Sequence, residues 1–386
     1  MKLLVISHAC VTPVNQSFFV DVVQQTGWNV ELVIPSSWNS EYKSNLQASR
    51  WKDFQGQIHT IPVWKAGNIP LHVYKQTMIG LLRKVRPDVI YVHHEPYGLA
   101  TAQIYLANRL VDNRPIGFYG AQNILKHYPI PFRWLEHWVL QNSAFCFPVT
   151  EGALEVVKQK GYKGIAEVLP LALDKGIYHP EPVWAQAKRV ELGIAEDEFV
   201  IGYLGRLVEE KGLQAMLHAA QVLQGRRWRC VLVGSGPYEP ELSATVAKLG
   251  MTDHVFFAGF VPHEEAPGWL SLFDVLVLAS ETRSNWKEQF GRVILEANAC
   301  ETAVIGTESG EIGNVLRDTG GGLIVPEANI AELGKAMLEL AEDPNRTRKL
   351  ALQGAAAVRE KYDQGYLASR FVTTIRNASK QEGSKP

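Results

Sequence analysis

Two doubly wound α/β domains in tandem are the fold class predicted by this 386-residue sequence. Three observations lead there. Short apolar runs alternate with amphipathic stretches, the pattern of parallel strands covered on both faces by helices. The plan starts again near residue 199. Between the halves, Asp174 to Glu198 holds Pro180 and Pro182 and no clear period, as a linker does.

In the first half, strands are expected at Lys2–Ser7, Asn29–Ile34, Asp88–His93, Pro115–Tyr119 and Phe145–Val149. Helices are expected near 17–26, 72–85, 98–112, 131–141 and 151–160. The second half places strands at Phe199–Leu204, Arg229–Gly234, Val255–Phe257, Asp274–Ala279, Ala303–Gly306 and Leu323–Val325. Its helices fall near 212–224, 237–249, 290–300, 310–317, 327–342 and 346–361. The domains are then 1–175 and 199–362, joined by a linker at 176–198. Residues 363–386 form a last helix, expected to cross back to the first domain, and a tail. Doubly wound sheets bind ligands beyond the C-terminal edges of their strands, so a central cleft faced by two such edges is expected.

Composition narrows the function classes. Apolar residues make up 46% of the chain, enough for sizeable cores. Met1-Lys-Leu-Leu-Val-Ile-Ser-His8 is too short an apolar run for a signal peptide and reads as a first strand. No run approaches the ~18 apolar residues that span a bilayer. Cys10, Cys146, Cys230 and Cys300 are widely spaced, with neither metal-like nor redox spacing, which suits a reducing cytoplasmic compartment. Residues 1–180 hold 17 Lys and Arg against 12 Asp and Glu, and the remainder 22 against 28. That bias is too small for nucleic acid. It suits either an unpartnered surface or a first domain beside an anionic membrane on the inner face.

The chemistry concentrates in the second half. Glu288-Gln289-Phe290-Gly291-Arg292-Val-Ile-Leu-Glu296 follows a buried-looking strand and a polar loop, then enters an apolar helix. A helix N-terminus behind a glycine-bearing loop is an anion site. Carboxylates beside it suit hydroxyls attached to that anion, which points to a nucleotide sugar. Eight helical positions advance about 12 Å, so Glu288 and Glu296 need different ligand groups. Gly202-Tyr-Leu-Gly205-Arg206-Leu-Val-Glu-Glu-Lys211-Gly212 is another strand-to-helix loop. Its glycines admit a ligand to the backbone, and Arg206 and Lys211 can clamp a diphosphate. Gly234-Ser-Gly236-Pro237 is either a wall of the nucleotide pocket or a tight turn. It lacks the third glycine of a dinucleotide site. At Gly259-Phe260-Val261, backbone groups and the Phe260 ring can meet a base.

Gly205-Arg206 with Lys211-Gly212, then Gly234-Ser-Gly-Pro237, then Glu288-x7-Glu296, in that order and spacing, resemble glycosyltransferase family 4, retaining enzymes of the GT-B fold built from two Rossmann-like domains. The run from Trp286 to Cys300 is similar to the bacterial exopolysaccharide and cell-envelope branch. The resemblance implies that Arg206 and Lys211 grip the pyrophosphate and Glu288 contacts the transferred sugar. It implies that Glu296 binds the ribose and that the amides of Phe290, Gly291 and Arg292 hold phosphate. Gly205, Gly236, Phe260, Val261 and Gln289 complete the donor side. It also implies metal-independent catalysis without a cofactor, and no Asp-x-Asp pair offers a metal site. No carboxylate stands out as a nucleophile, which favours a same-face mechanism. The expected donor is UDP-glucose or a related UDP-hexose, with GDP-mannose second. The expected acceptor is a growing exopolysaccharide or lipid-linked glycan.

The first half departs from the family. Its first loop, Ser7 to Gln16, lacks paired glycines, leaving Asn15, Gln16 or His8 to act through side chains. Gln122 stands where the family often has histidine. His93-His94-Glu95 ends a strand, where adjacent residues face opposite ways and make a poor metal cage. Glu95, then His94, is expected on the acceptor side. Trp134 and Trp138 share a helix face with Lys126 and Arg133 nearby, expected first as core packing and second as a membrane-surface patch. The competing functions are an epimerase or phosphorylase on the same frame and a non-enzymatic sugar-nucleotide sensor.

Overall fold

The computed structural model describes residues 1–39, 45–173 and 176–382. The chain forms two compact units, one from Met1–Ala172 with the helix that starts at Gln364, the other from Leu173–Asp363.

The first unit holds a seven-stranded sheet. Its strands are β1 (Lys2–Ser7), β2 (Asn29–Pro35), β3 (Ile58–Ile61), β4 (Val89–His93), β5 (Ile116–Gly120), β6 (Phe145–Pro148) and β7 (Ile165–Ala166). They lie in the order β7-β6-β5-β4-β1-β2-β3, every pair parallel. The residues of β1 explain the arrangement. Leu3, Leu4, Val5 and Ile6 are all fully buried. Leu4 and Ile6 enter one apolar cluster, Leu3 and Val5 the other. Alternation across the strand thus feeds two cores, as a doubly covered sheet requires. The helices are α1 (Ser17–Thr26), α2 (Met78–Val85), α3 (Leu99–Val111), α4 (Phe132–Gln141) and α5 (Glu151–Gln159).

The second unit holds β8 (Phe199–Leu204), β9 (Trp228–Val233), β10 (Val255–Gly259), β11 (Val275–Leu278), β12 (Ala303–Thr307) and β13 (Gly322–Val325). Their order is β10-β9-β8-β11-β12-β13, again all parallel. Its helices are α6 (Pro182–Glu191), α7 (Leu213–Ala220), α8 (Glu239–Lys248), α9 (Ala266–Leu272), α10 (Arg292–Ala299), α11 (Ile312–Thr319), α12 (Ile330–Glu342) and α13 (Pro344–Lys361). In each sheet the strand order reverses once, between β1 and β4 and between β8 and β11. Ligands bind at such reversals in open α/β sheets.

Two sequence expectations change. The linker at 176–198 is instead structured and belongs to the second unit, where it contains α6. Pro182 sits in the first turn of α6, a place that tolerates proline. Trp184 packs on Trp269 of α9 with ring centroids 5.4 Å apart, and Arg189 reaches Asp274 at 2.9 Å. Asp174 and Lys175 lie outside the described residues. Second, Trp134 and Trp138 do not share a buried face. Trp138 packs against the core, whereas Trp134 is 62% exposed.

The last helix, α14 (Gln364–Glu382), packs in the first unit. Phe371 is fully buried and stacks on Phe147 at 4.7 Å, with Phe18 and Tyr91 edge-on. Arg370 pairs with Glu167, and Gln364 donates to Asp21 at 2.9 Å.

Candidate active site

The strand reversal of the second sheet carries the strongest chemistry. β8 ends in Leu204 and runs into the Gly205–Gly212 loop. β11 ends in Leu278 and runs into the long loop that reaches α10. Lys211 Nζ lies 2.6 Å from Glu288 Oε2, and Ser280 Oγ donates to the same oxygen at 2.9 Å. Lys211 also sits over the Trp286 ring, 5.1 Å from its centroid. Both members of the ion pair are half-buried. Arg206 is held by its backbone, whose carbonyl accepts from the Tyr203 hydroxyl at 2.7 Å.

Glycine makes these loops possible. Gly212 has φ +65, and a Cβ there would overlap the Ala279 carbonyl oxygen, so this residue lets the two loops touch. Gly234 and Gly236 are fitted in the same way against the carbonyls of Gly205 and Leu207, and Leu207 N–H donates to Ser235 O at 3.0 Å. Loop packing therefore accounts for the Gly-x-Gly turn.

Glu288 is also fixed through its carbonyl, which accepts from Glu311 N–H at 3.1 Å while Gly310 packs against it. Gln289 is exposed. Phe290 is buried edge-on against Tyr362 at 6.4 Å, so only its backbone is available. Gly291 sits at the N-cap of α10 with φ +76, and no side chain caps that helix. Its first amides are open to an anion. Phe260 follows β10 at 61% exposure, with Val261 half-buried beside it.

Glu296 lies one helical turn past Arg292, whose Nε approaches Glu296 Oε1 at 3.1 Å. Tyr178 joins them. Burial and the neighbouring Glu296 carboxylate push its phenol well above the usual range, and its hydroxyl also meets His263 at 3.2 Å. Sequence reasoning missed Tyr178 and Ser280. The Glu281–Lys287 loop hid Ser280, and no local pattern ties Tyr178 to Glu296.

In the first unit, several anticipated ligand groups have structural tasks. Gln16 is buried. Its Nε2 donates to Cys10 O at 2.8 Å and Ser49 O at 2.7 Å, and its Oε1 accepts from Trp51 N–H at 2.9 Å. Asn15 Nδ2 donates to Ala9 O at 2.7 Å. Gln122 Oε1 accepts from Ile124 N–H at 3.0 Å. Glu95 Oε1 accepts from Ala121 N–H at 2.8 Å. Burial pushes the Glu95 carboxyl up to about 7. The Glu136 charge adds to this, while Lys160 and the Ala121 and Gln122 amides oppose it. His93, His94 and Glu95 diverge, as neighbours on a strand do. His93 meets Ser7 Oγ at 3.2 Å and the Tyr119 ring at 4.5 Å.

His94 turns instead toward His8 and His72, and a ring nitrogen from each lies within 4.8 Å of the others. This is the one group of three metal-capable side chains found among the described residues. Burial keeps all three imidazoles neutral. His8 falls to about 3, with His72 and His93 adding to the shift, and His94 falls well below its usual range.

Residues 185–356 match the family described as glycosyl transferases group 1. That span lies within the second unit. Its matched span includes Arg206, Lys211, Glu288 and Glu296. Alpha-D-kanosaminyltransferase of Streptomyces kanamyceticus is 24% identical over 328 residues, 80% of this chain and 82% of that one. A GDP-mannose-dependent alpha-(1-6)-phosphatidylinositol monomannoside mannosyltransferase of Mycolicibacterium smegmatis is 30% identical over 198 residues. This alignment spans 50% of the chain and about half of the relative, 52%. In fold, the chain is similar to Anabaena Alr3699/HepE, crystallised with UDP. The TM-score is 0.75 at 18% identity, covering 98% of this chain and 100% of that one. The fold is α/β of the GT-B type, as the motifs imply.

Proposed function

We propose that the chain is a retaining hexosyltransferase that moves a sugar from a nucleoside diphosphate to an acceptor hydroxyl, forming an α-linkage. One observation carries this reading. The Lys211–Glu288–Ser280 cluster sits at a strand reversal beside the uncapped N-terminus of α10. A cation and open amides, which suit a diphosphate, and a carboxylate, which suits sugar hydroxyls, support it. Arg206 and Lys211 neutralise the diphosphate as the bond from the anomeric carbon to its oxygen breaks. The acceptor oxygen forms the new bond from the same face and gives its proton to the departing phosphate oxygen. Glu288 orients the hexose and Glu296 the ribose, so neither acts as an acid or base.

UDP-glucose is the preferred donor, supported by the likeness to a fold crystallised with UDP. GDP-mannose is the second reading, supported by the mannosyltransferase relative. The acceptor is a glycan on a lipid carrier. Exposed Leu125, Ile130 and Trp134 beside Lys126 and Arg133 support contact with an anionic membrane. No described helix is long and apolar enough to cross one.

A thermal-shift screen of UDP-, GDP- and ADP-sugars tests the donor, since a ligand stabilises the state it binds. UDP-glucose is expected to give the largest shift. No shift with any of them, or release of an epimerised nucleotide sugar without transfer, overturns the proposal.

A further inference from the structure

The three-histidine cluster of the first unit has unmet hydrogen-bonding capacity. His8 Nδ1, His72 Nε2, His94 Nδ1 and Tyr74 Oη are buried without a hydrogen-bond partner. Such groups are uncommon and costly, so they call for an occupant. The cluster lies where β1 and β4 end, at the strand reversal of its sheet.

The fixed bonds around the rings decide what that occupant is. His72 donates Nδ1–H to Ile69 O at 2.9 Å, so its free Nε2 presents a lone pair. His94 Nε2 accepts from His8 N–H at 3.0 Å, so the proton of neutral His94 sits on its free Nδ1. The cluster therefore offers one fixed acceptor and one fixed donor. His8 Nδ1 and Tyr74 Oη adapt to either need. A metal ion requires lone pairs from every ligand, and taking His94 Nδ1 would cost the bond to His8. A hydroxyl both donates and accepts, and matches the set. Trp38 packs against the His8 and His72 rings, with centroids 4.8 and 4.9 Å away, and holds them in place.

We propose that His8, His72, His94 and Tyr74 form a subsite for a hydroxyl of a polyhydroxylated ring. It deepens the transferase reading by naming a contact for the acceptor.

Two substitutions each remove one unpartnered ring atom. His72→Asn keeps an N–H for Ile69 O and deletes the free acceptor. His94→Gln keeps an acceptor for His8 N–H and deletes the free donor. Tyr74→Phe removes one hydroxyl and leaves the ring. Binding of myo-inositol and methyl α-D-glucopyranoside is followed by ligand-observed NMR, with Zn²⁺ titrated in parallel and UDP stabilisation measured on every variant. The wild type is expected to bind a polyol, and both histidine variants to weaken it about tenfold, the loss of one hydrogen bond. Tyr74→Phe should weaken it less, with melting temperature and UDP response unchanged. The proposal is overturned if the wild type binds no polyol or if neither histidine variant weakens binding. Stoichiometric Zn²⁺ binding lost in both variants overturns it in favour of a metal site. Failure of UDP to stabilise any variant or the wild type would instead count against the transferase reading, leaving the polyol result to stand alone.

Discussion

Lys211 Nζ contacts Glu288 Oε2 at 2.6 Å, so the cation assigned to the diphosphate and the carboxylate assigned to the sugar satisfy one another. Ser280 holds the same oxygen. A donor entering this loop pair has to share or replace that contact, which makes the two substitutions distinguishable. Lys211→Ala removes charge from the leaving group and should lower kcat by about 10²–10³, the usual cost of a transition-state contact. It should also cut stabilisation by UDP alone. Glu288→Ala should lower turnover yet leave UDP stabilisation nearly intact, because the proposed task of Glu288 is to hold the sugar. Equal loss of UDP stabilisation in both variants would contradict the division of labour.

Gly212 and Gly250 share a backbone conformation but not an environment. Their φ values are +65 and +66, but nothing lies within 4 Å of a Cβ built on Gly250, whereas at Gly212 it meets the Ala279 carbonyl. Gly250→Ala should cost about 1–2 kcal/mol, the strain of a left-handed alanine. Gly212→Ala should cost clearly more and should weaken donor binding, because the loops bearing Lys211 and Ser280 must separate. Comparing urea denaturation midpoints checks the order, and equal midpoints would refute the role given to Gly212.

The periodicity that betrayed the strands did so because both faces of each sheet are buried. Lys2–Ser7 and Phe199–Leu204 match residue for residue. The α6 helix was hidden by Pro182, which signals a break inside a helix but is welcome in its first turn. The loops that bear Arg206, Lys211 and Glu288 were legible because each joins a strand to a helix over consecutive residues. The Tyr178–Glu296 contact and the meeting of His72 with His8 and His94 were not, since only the chain path brings them together. Gln16 was misjudged for a related reason. An amide on a loop signals polarity, but not that backbone groups already occupy it.

Trp134 is exposed on α4, with Ile130 55% and Leu125 42% exposed nearby. Its removal should leave stability unchanged, since it touches no core. Trp134→Ala should reduce sedimentation with vesicles containing anionic lipid several-fold. Raising the salt concentration should weaken wild-type binding further, because Lys126 and Arg133 act through screened charge. Binding equal to the wild type's would remove α4 from the membrane contact.

Glu95 provides a stability test with a definite sign. Its carboxyl titrates at about 7 in the folded chain against an ordinary 4.5, chiefly because it is buried. A raised folded value means that the fold holds the proton more tightly than the unfolded chain does. That contribution is complete below about pH 4.5 and disappears as pH rises through 7. Gln at this position mimics the protonated acid and can still accept from Ala121 N–H. Glu95→Gln should therefore match the wild type near pH 4.5 and exceed it at pH 8 by a few kcal/mol, at roughly 1.4 kcal/mol per unit. His8 and His93, lowered to about 3 and 4, act in the opposite sense, costing stability as pH falls below 6.5. That loss is common to both proteins and cancels in their difference. A wild type more stable than Glu95→Gln at pH 8 would mean that Lys160 and the Ala121 and Gln122 amides outweigh burial and keep the carboxylate charged.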